Sequence, residues 1–454
     1  MVALFFVPPL CHAGAPQRLR VMPPTIGRSY WAHAVSRQDW DEKAVNAEVG
    51  YWELFTDLLM VAAASAVAEV LLEDMSWHGF LEFALLYTIL VHGWWLYSHH
   101  YTTRFVESSL AHHVVLCVFL WGLATSIANA SLETAAEFSM GAIVQRMACV
   151  VMMVPIGIQM PRARAFVTAV VGWTLLIVVV LLGVVLEWYS PMTGWLLASI
   201  LHHLSEVVMI YALPGRALLP VNIEHTTDRL GVLVLIMLGE TVISATLTYR
   251  SYVVEDEAME EGSSYSMLLF SAFALIFVFS LLYFGVQPPE HFNALRRSRE
   301  FGTLAVNTVK LLGLLLLTVG VCVRLLVQET VEGKDESEAR RLLGYAVGSS
   351  MLLLLGLRVC HYGGRIPRAD DPPRVWWLSQ IWWAIFAIVS ASPLVLAATL
   401  DLSAVATIAT YAGIVSAMCV VETWFIQELQ DYLPNEDDET QHMLDRSKDY
   451  GSTH

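Results

Sequence analysis

Charge is what this chain has least of. Asp, Glu, Lys and Arg make up only 15% of its 454 residues, whereas 56% are hydrophobic and the mean hydropathy is +0.56. A water-soluble fold is excluded, because so much apolar surface could not be hidden from solvent. Bases are scarcer than acids: 26 Lys and Arg against 42 Asp and Glu leave a formal charge of -16 and no basic stripe, which excludes nucleic acid as a partner. Paired cysteines are missing too. Cys117, Cys149, Cys322, Cys360 and Cys419 fall in apolar runs without Cys-x-x-Cys spacing and read as small buried hydrophobes. The chain has no Walker loop, no Gly-x-Ser-x-Gly, no His-Glu-x-x-His and no dinucleotide fingerprint, so neither enzymatic activity nor a cofactor is expected. The N-terminal stretch is expected to be a poor secretory signal, since no basic residue precedes its apolar residues and Pro8 and Pro9 interrupt them.

Apolar residues, by contrast, gather in runs long enough to cross the roughly 30 Å hydrocarbon core of a bilayer. They predict an all-α, multi-pass membrane protein of about twelve spans: 51–72, 79–98, 112–130, 138–158, 165–186, 193–213, 230–249, 266–286, 302–327, 342–361, 376–400 and 402–427. The connections leave no room for a soluble domain. Three segments follow: an N-terminal arm over 1–50, a membrane domain over 51–427 and an acidic tail over 428–454. The tail and residues 250–262 hold much of the negative excess and read as solvated segments. Eighteen Lys and Arg fall on the side of the two termini, and only Arg250, Lys334, Arg340 and Arg341 on the other. The positive-inside rule then places both termini in the cytoplasm. Arg18, Arg20, Arg28 and Arg37 precede the first acid, Asp39. They suit a cytoplasmic arm, with a transit peptide as the alternative, so the plasma membrane is expected and an organellar membrane is the second choice. Two six-span repeats are not discernible: Arg146 (QRMAC) and Arg358 (LRVCH) share context but not depth.

An ionisable side chain inside a span costs about 2.5–3.5 kcal/mol on insertion scales, and such residues usually face a protein interior. In span 1, Glu53 and Asp57 are four apart and share a helix face. They either complement the positive helix end or form a titratable site in which like charges raise one pKa. Span 7 begins with His225, Asp228 and Arg229 and carries Glu240 near mid-membrane, beside Gly239, which would admit a closely packed helix. Arg229 and the Glu53/Asp57 pair fall at similar depth, so an ion pair between spans 1 and 7 is expected. In span 6, His202 and His203 stand four and three residues before Glu206, bringing imidazole and carboxylate together as structural groups or a proton relay. A metal would need a third ligand from elsewhere, and none is expected. His92, His99, His100, His112 and His113 cluster at spans 2 and 3, but a loop separates His99 from His112, which excludes haem ligation within one helix. Arg146 is deep in span 4 and should pair with Glu422 or Glu206, whereas Lys310 and Arg358 should snorkel to the interface.

Two of these stretches resemble a known family. The span 1 string ELFTDLLMV is similar to the E-L-F-F-D-L-V-F-V signature of the bacterial low-temperature-requirement A (LtrA) membrane proteins. HTTDRLGVLVLIMLGE is similar to that family's H-x-x-E-R-x-G-L-x-x-I-x-x-L-G-E segment. The matching residues are Glu53, Phe55 and Asp57, then His225, Arg229, Gly231, Gly239 and Glu240; Thr56 and Asp228 depart, standing where the family favours Phe and Glu. The resemblance implies membership and a link to growth at low temperature, not a reaction. The resulting expectation is a transporter or channel-like protein for a small solute or ion. Its interior network would comprise Glu53, Asp57, His225, Asp228, Arg229, Glu240, His202, His203, Glu206 and Arg146. The alternative is a non-transporting, stress-adaptation protein whose buried charges lock helices together. The bilayer is the one partner implied, and the sequence does not speak to oligomeric state.

Overall fold

A computed structural model describes residues 35–36, 50–106, 109–212, 219, 221–255, 262–286, 293–332, 336–361 and 372–430. Most of the N-terminal arm, the acidic stretch 256–261 and the tail from 431 onward lie outside the described residues. Among the described residues the chain forms thirteen helices: α1 (Tyr51–Glu73), α2 (Trp77–Trp95), α3 (Leu110–Ala128), α4 (Ala135–Gln159), α5 (Arg164–Val185), α6 (Pro191–Ala212), α7 (Ile223–Glu255), α8 (Gly262–Val286), α9 (Ala294–Arg297), α10 (Arg299–Glu332), α11 (Ser337–Cys360), α12 (Pro373–Thr399) and α13 (Ala404–Gln430). The fold is all-α apart from a two-residue antiparallel ladder in which β1 (Val35–Ser36) pairs with β2 (Phe105–Val106).

Among the described residues eleven helices are long and apolar enough to cross a membrane, against the twelve spans expected. The one left out is α6. At 22 residues it measures about 33 Å, long enough to span. The outer surface is a lipid-facing coat: Leu58 is 66% exposed, Phe270 71% and Val420 70%, an arrangement that only hydrocarbon tolerates. Inside, α10 is the axis of the bundle and packs against α1, α2, α6, α7, α8, α11 and α13. Its 34 residues, about 51 Å, extend beyond the bilayer thickness. Helices α3 and α4 meet backbone to backbone, since a Cβ on Gly122 would lie 2.5 Å from the Gln145 nitrogen.

Local signals set the helix ends. Ser76 and Ser109 cap α2 and α3, each hydroxyl accepting from a backbone N–H three residues on, at 3.3 and 3.2 Å. The C-terminal end of α2 continues as a π-helical turn over Leu96–Thr102. Thr102 Oγ1 donates to the Ser98 carbonyl at 2.7 Å and Thr103 Oγ1 to that of His99, taking up acceptors that the wider turn releases.

Contacts at the helix ends bring together segments that the topology assigns to one side. The β1–β2 ladder joins the N-terminal arm to the α2–α3 connection. Arg374, at the start of α12, reaches Glu428, at the end of α13, at 3.1 Å. The short α9 docks on the end of α11, where the Ala294 N–H donates to His361 Nδ1 at 3.0 Å and Arg297 Nη1 donates to the Val359 carbonyl at 2.7 Å.

That docking requires a neutral imidazole, because a protonated Nδ1 could not accept. Burial, and secondarily the neighbouring Arg358, push the His361 pKa down to about 4. The unfolded chain titrates near 6.5, so this contribution to stability is complete above about pH 6.5 and is lost as pH falls toward 4. The protein in detergent should therefore be less stable at pH 5 than at pH 7.5 by about 2 kcal/mol from this group alone. His361→Asn, which keeps an acceptor but cannot titrate, should show a correspondingly smaller acid loss in thermal melts; equal losses would exclude His361 as the cause.

Candidate functional site

Apart from the Arg358–Glu422 pair between α11 and α13, most of the buried charges form two groups on either side of the α2 tryptophans. The first joins α1 to α7. A four-residue spacing turns Glu53 and Asp57 to one face of α1, and the same spacing turns His225 and Arg229 to one face of α7, so the pairs meet in register. Asp57 takes both terminal nitrogens of Arg229 in a bidentate pair, with Nη1 donating to Oδ2 at 2.7 Å and Nη2 bonding Oδ1. His225 Nε2 lies 3.1 Å from Glu53 Oε2. The remaining valences are filled from the C-terminal part of α2. Trp94 Nε1 donates to Asp57 Oδ1 at 3.1 Å, Arg229 Nε donates to Ser98 Oγ at 2.9 Å, and the guanidinium carbon stands 5.2 Å from the Trp94 ring centre. Arg229 is 1% exposed and Asp57 6%, so the pair is dry. Farther along the same two helices, Ser65 donates to the Glu240 carboxylate.

The second group gathers around a cavity of about 30 Å³ between α2, α4, α5 and α6. Its walls include His92, Trp95 and His100 from α2 and the π-turn, Arg146 from α4, Thr174 from α5, and His202, Ser205 and Glu206 from α6. Lys310 of α10 is ion-paired with Glu206 and lies 4.8 Å from the Trp95 ring centre. Arg146 Nη2 faces His202 Nε2 at 2.9 Å, and because a guanidinium only donates, that nitrogen accepts and the His202 proton sits on Nδ1. His92 stacks on His202 at 4.7 Å and meets the edge of His203 at the same distance. His92 Nδ1 donates to the Thr88 carbonyl at 3.0 Å, which leaves a bare, buried Nε2. His203 turns away from the cavity wall and reaches Asn307 of α10 at 3.0 Å.

Several expectations change here. Arg146 pairs with neither Glu422 nor Glu206. Glu422 is held by Arg358 at 2.7 and 3.0 Å, and Glu206 by Lys310, so Arg146 is left with uncharged acceptors. Lys310 and Arg358 do not snorkel: they are 2% and 6% exposed and bind carboxylates on other helices. No helix approaches Gly239, where an added Cβ would meet nothing within 4 Å. Asp228 is exposed and belongs to neither group. His202 and Glu206 line one cavity, but each faces a different cation, Arg146 at His202 Nε2 and Lys310 at Glu206 Oε1. Among the described residues no three His, Cys, Asp or Glu side chains assemble as metal ligands.

Sequence reasoning missed Lys310, Trp94, Trp95 and Ser98. The clue available for Lys310 was a lone cation eleven residues into a 34-residue helix, too deep for its stem to reach water readily. The haem-like histidines resolve into separate uses. His92 and His100 line the cavity and His99 stacks on Trp95 at 4.5 Å, whereas His112 bonds the Tyr101 hydroxyl at 3.2 Å.

Compared with known proteins, the chain is matched over residues 48–421 by the family model for bacterial low temperature requirement A protein (LtrA), which covers both groups of buried charge. No curated protein and no solved structure matches it.

Breaking one partner of the α1–α7 pair strands a charge, whereas removing both does not. Asp57→Asn should destabilise the protein in detergent by about 3–5 kcal/mol, and Asp57→Leu combined with Arg229→Met should recover most of the loss. A denaturation series on the two single variants and the double variant measures this. Additive losses would show that the two residues do not act as a pair.

Proposed function

The chain belongs to the bacterial low temperature requirement A family of membrane proteins, and from that premise we propose that it is a transporter or channel-like protein, not an enzyme, carrying a small solute or ion. The observation that carries this reading is the cavity inside the bundle. A purely structural core closes around apolar side chains, whereas this one is lined by Arg146, His92, His100, His202 and Glu206 at depths where such groups are expensive. Intramembrane ionisable residues that line a cavity are what ion pathways and proton relays are built from. The α1–α7 group has a different role. Its bidentate geometry and buried, capped valences suit a latch that holds the bundle, with Glu240 deeper on the same helix pair. A plasma-membrane location fits a bacterial family.

A second reading has its own observation. Glu53, Asp57, Glu206 and Glu422 each face a cationic or imidazole group on another helix, as a non-transporting protein for low-temperature or stress adaptation would use buried charge to lock its helices.

Flux separates the two. Reconstituted liposomes should pass protons or a small solute above the level of empty vesicles. Val170→Phe, which fills the cavity wall without altering charge, should abolish flux at unchanged protein yield. Glu240→Gln, which keeps an acceptor for Ser65, should do the same if the path continues along α7. Wild-type flux no higher than in empty liposomes, together with recovered stability in the charge swap Asp57→Arg with Arg229→Asp, would remove the carrier reading and leave the structural one.

A further inference from the structure

We propose that the cavity between α2, α4, α5 and α6 binds a small monovalent anion of halide size, held by Arg146. The argument begins with charge balance. Five Lys and Arg side chains are buried among the described residues: Arg104, just past the π-turn, bonds the His99 carbonyl and Thr103 Oγ1 and lies over the Phe166 ring, and the other four sit inside helices. Arg229 is met by Asp57, Lys310 by Glu206 and Arg358 by Glu422, and each of these three also lies against an aromatic ring. Arg146 is 0% exposed and has no such partner among the described residues. Its hydrogen bonds go to the carbonyls of Ala142 at 3.1 Å and Ile89 at 2.9 Å, to Gln145 Oε1 at 3.5 Å and to His202 Nε2 at 2.9 Å, all uncharged, and its Nε–H is buried with no acceptor. A full charge compensated only by dipoles is costly in hydrocarbon, so the arrangement calls for one negative charge from outside the chain.

The cavity supplies the place. Its volume of about 30 Å³ gives room for one halide, or roughly two waters. Glu206, the one carboxylate in the wall, is neutralised by Lys310, so an anion meets the field of Arg146 with little opposition. The wall hydroxyls are already spent, Thr174 on the Val170 carbonyl and Ser205 on that of His202, both at 2.7 Å. Selection then rests on charge rather than on a hydrogen-bond pattern. This inference adds a ligand class to the cavity proposed above as the interior of a carrier, but it is tested by binding and does not depend on flux.

The test uses the full chain in detergent, with chloride as the probe and gluconate as the balancing anion at fixed ionic strength. Because a ligand stabilises the folded state by mass action, the melting temperature should rise with chloride, by about 3 °C at tenfold above the dissociation constant, and keep climbing with the logarithm of its concentration. Arg146→Gln should melt at the same temperature in both salts. Thr174→Glu, which places a carboxylate in the wall, should match the chloride-bound wild type without chloride and gain nothing from it. The second variant decides the matter if the first does not fold. Equal melting of the wild type in chloride and gluconate overturns the proposal, as does a chloride effect that persists in both variants. A protein that passes no solute yet melts higher in chloride keeps the site and loses the carrier reading, and a carrier indifferent to chloride does the reverse.

Discussion

Hydrocarbon does not solvate charge, and the interior of this bundle is organised by that cost. A buried ion must find its counter-ion on another helix, because few useful partners exist along its own. Asp57 with Arg229, Glu206 with Lys310 and Glu422 with Arg358 are therefore contacts between elements, and each one fixes which faces of two helices meet. Apolar packing cannot do this in a membrane, where lipid tails compete on equal terms with leucine. In this protein the few charges specify the arrangement and the many apolar residues fill it in.

The aromatic residues complete the pattern. Trp94 and Trp95 are consecutive on α2 and both fully buried, yet they point to different neighbours: Trp94 to the Asp57–Arg229 pair, Trp95 to Lys310. Two adjacent side chains on a helix diverge by about 100°. A single dipeptide thus serves both groups of charge and sets the spacing between α7 on one side and α10 on the other. The ring faces are suited to this, since they accept a cation on an apolar surface without adding a second charge.

Much of this was legible in the chain itself. The spans follow from hydropathy alone, since a run of about 20 apolar residues has no other use. The Glu53/Asp57 and His225/Arg229 faces could be read because both spacings are local and helical. The partners of Lys310 and Arg358 could not, because each lies more than fifty residues away and nothing in one sequence says which of several carboxylates at similar depth is across the gap. Depth itself was misjudged for Lys310: its helix begins before the apolar run, so counting from the run's edge placed it too near water, whereas Arg358 lies in the last turn of α11 and is buried there by Glu422 of another helix. Gly239 offered a local reason for close packing that the tertiary arrangement does not use. The π-turn has no sequence mark at all.

That turn holds a mechanical possibility. A π-helical segment is an α-helix with a residue to spare, and converting one form to the other slides everything beyond it by one position and rotates it by about 100°. Ser98 and His100 both lie on this segment, one gripping Arg229 of the α1–α7 pair and the other lining the cavity. They would turn together, like two teeth on one gear. A rearrangement that released Ser98 from Arg229 would swing His100 out of the cavity wall in the same stroke, so the turn at the end of α2 links the clamp on one side of the bundle to the chamber on the other.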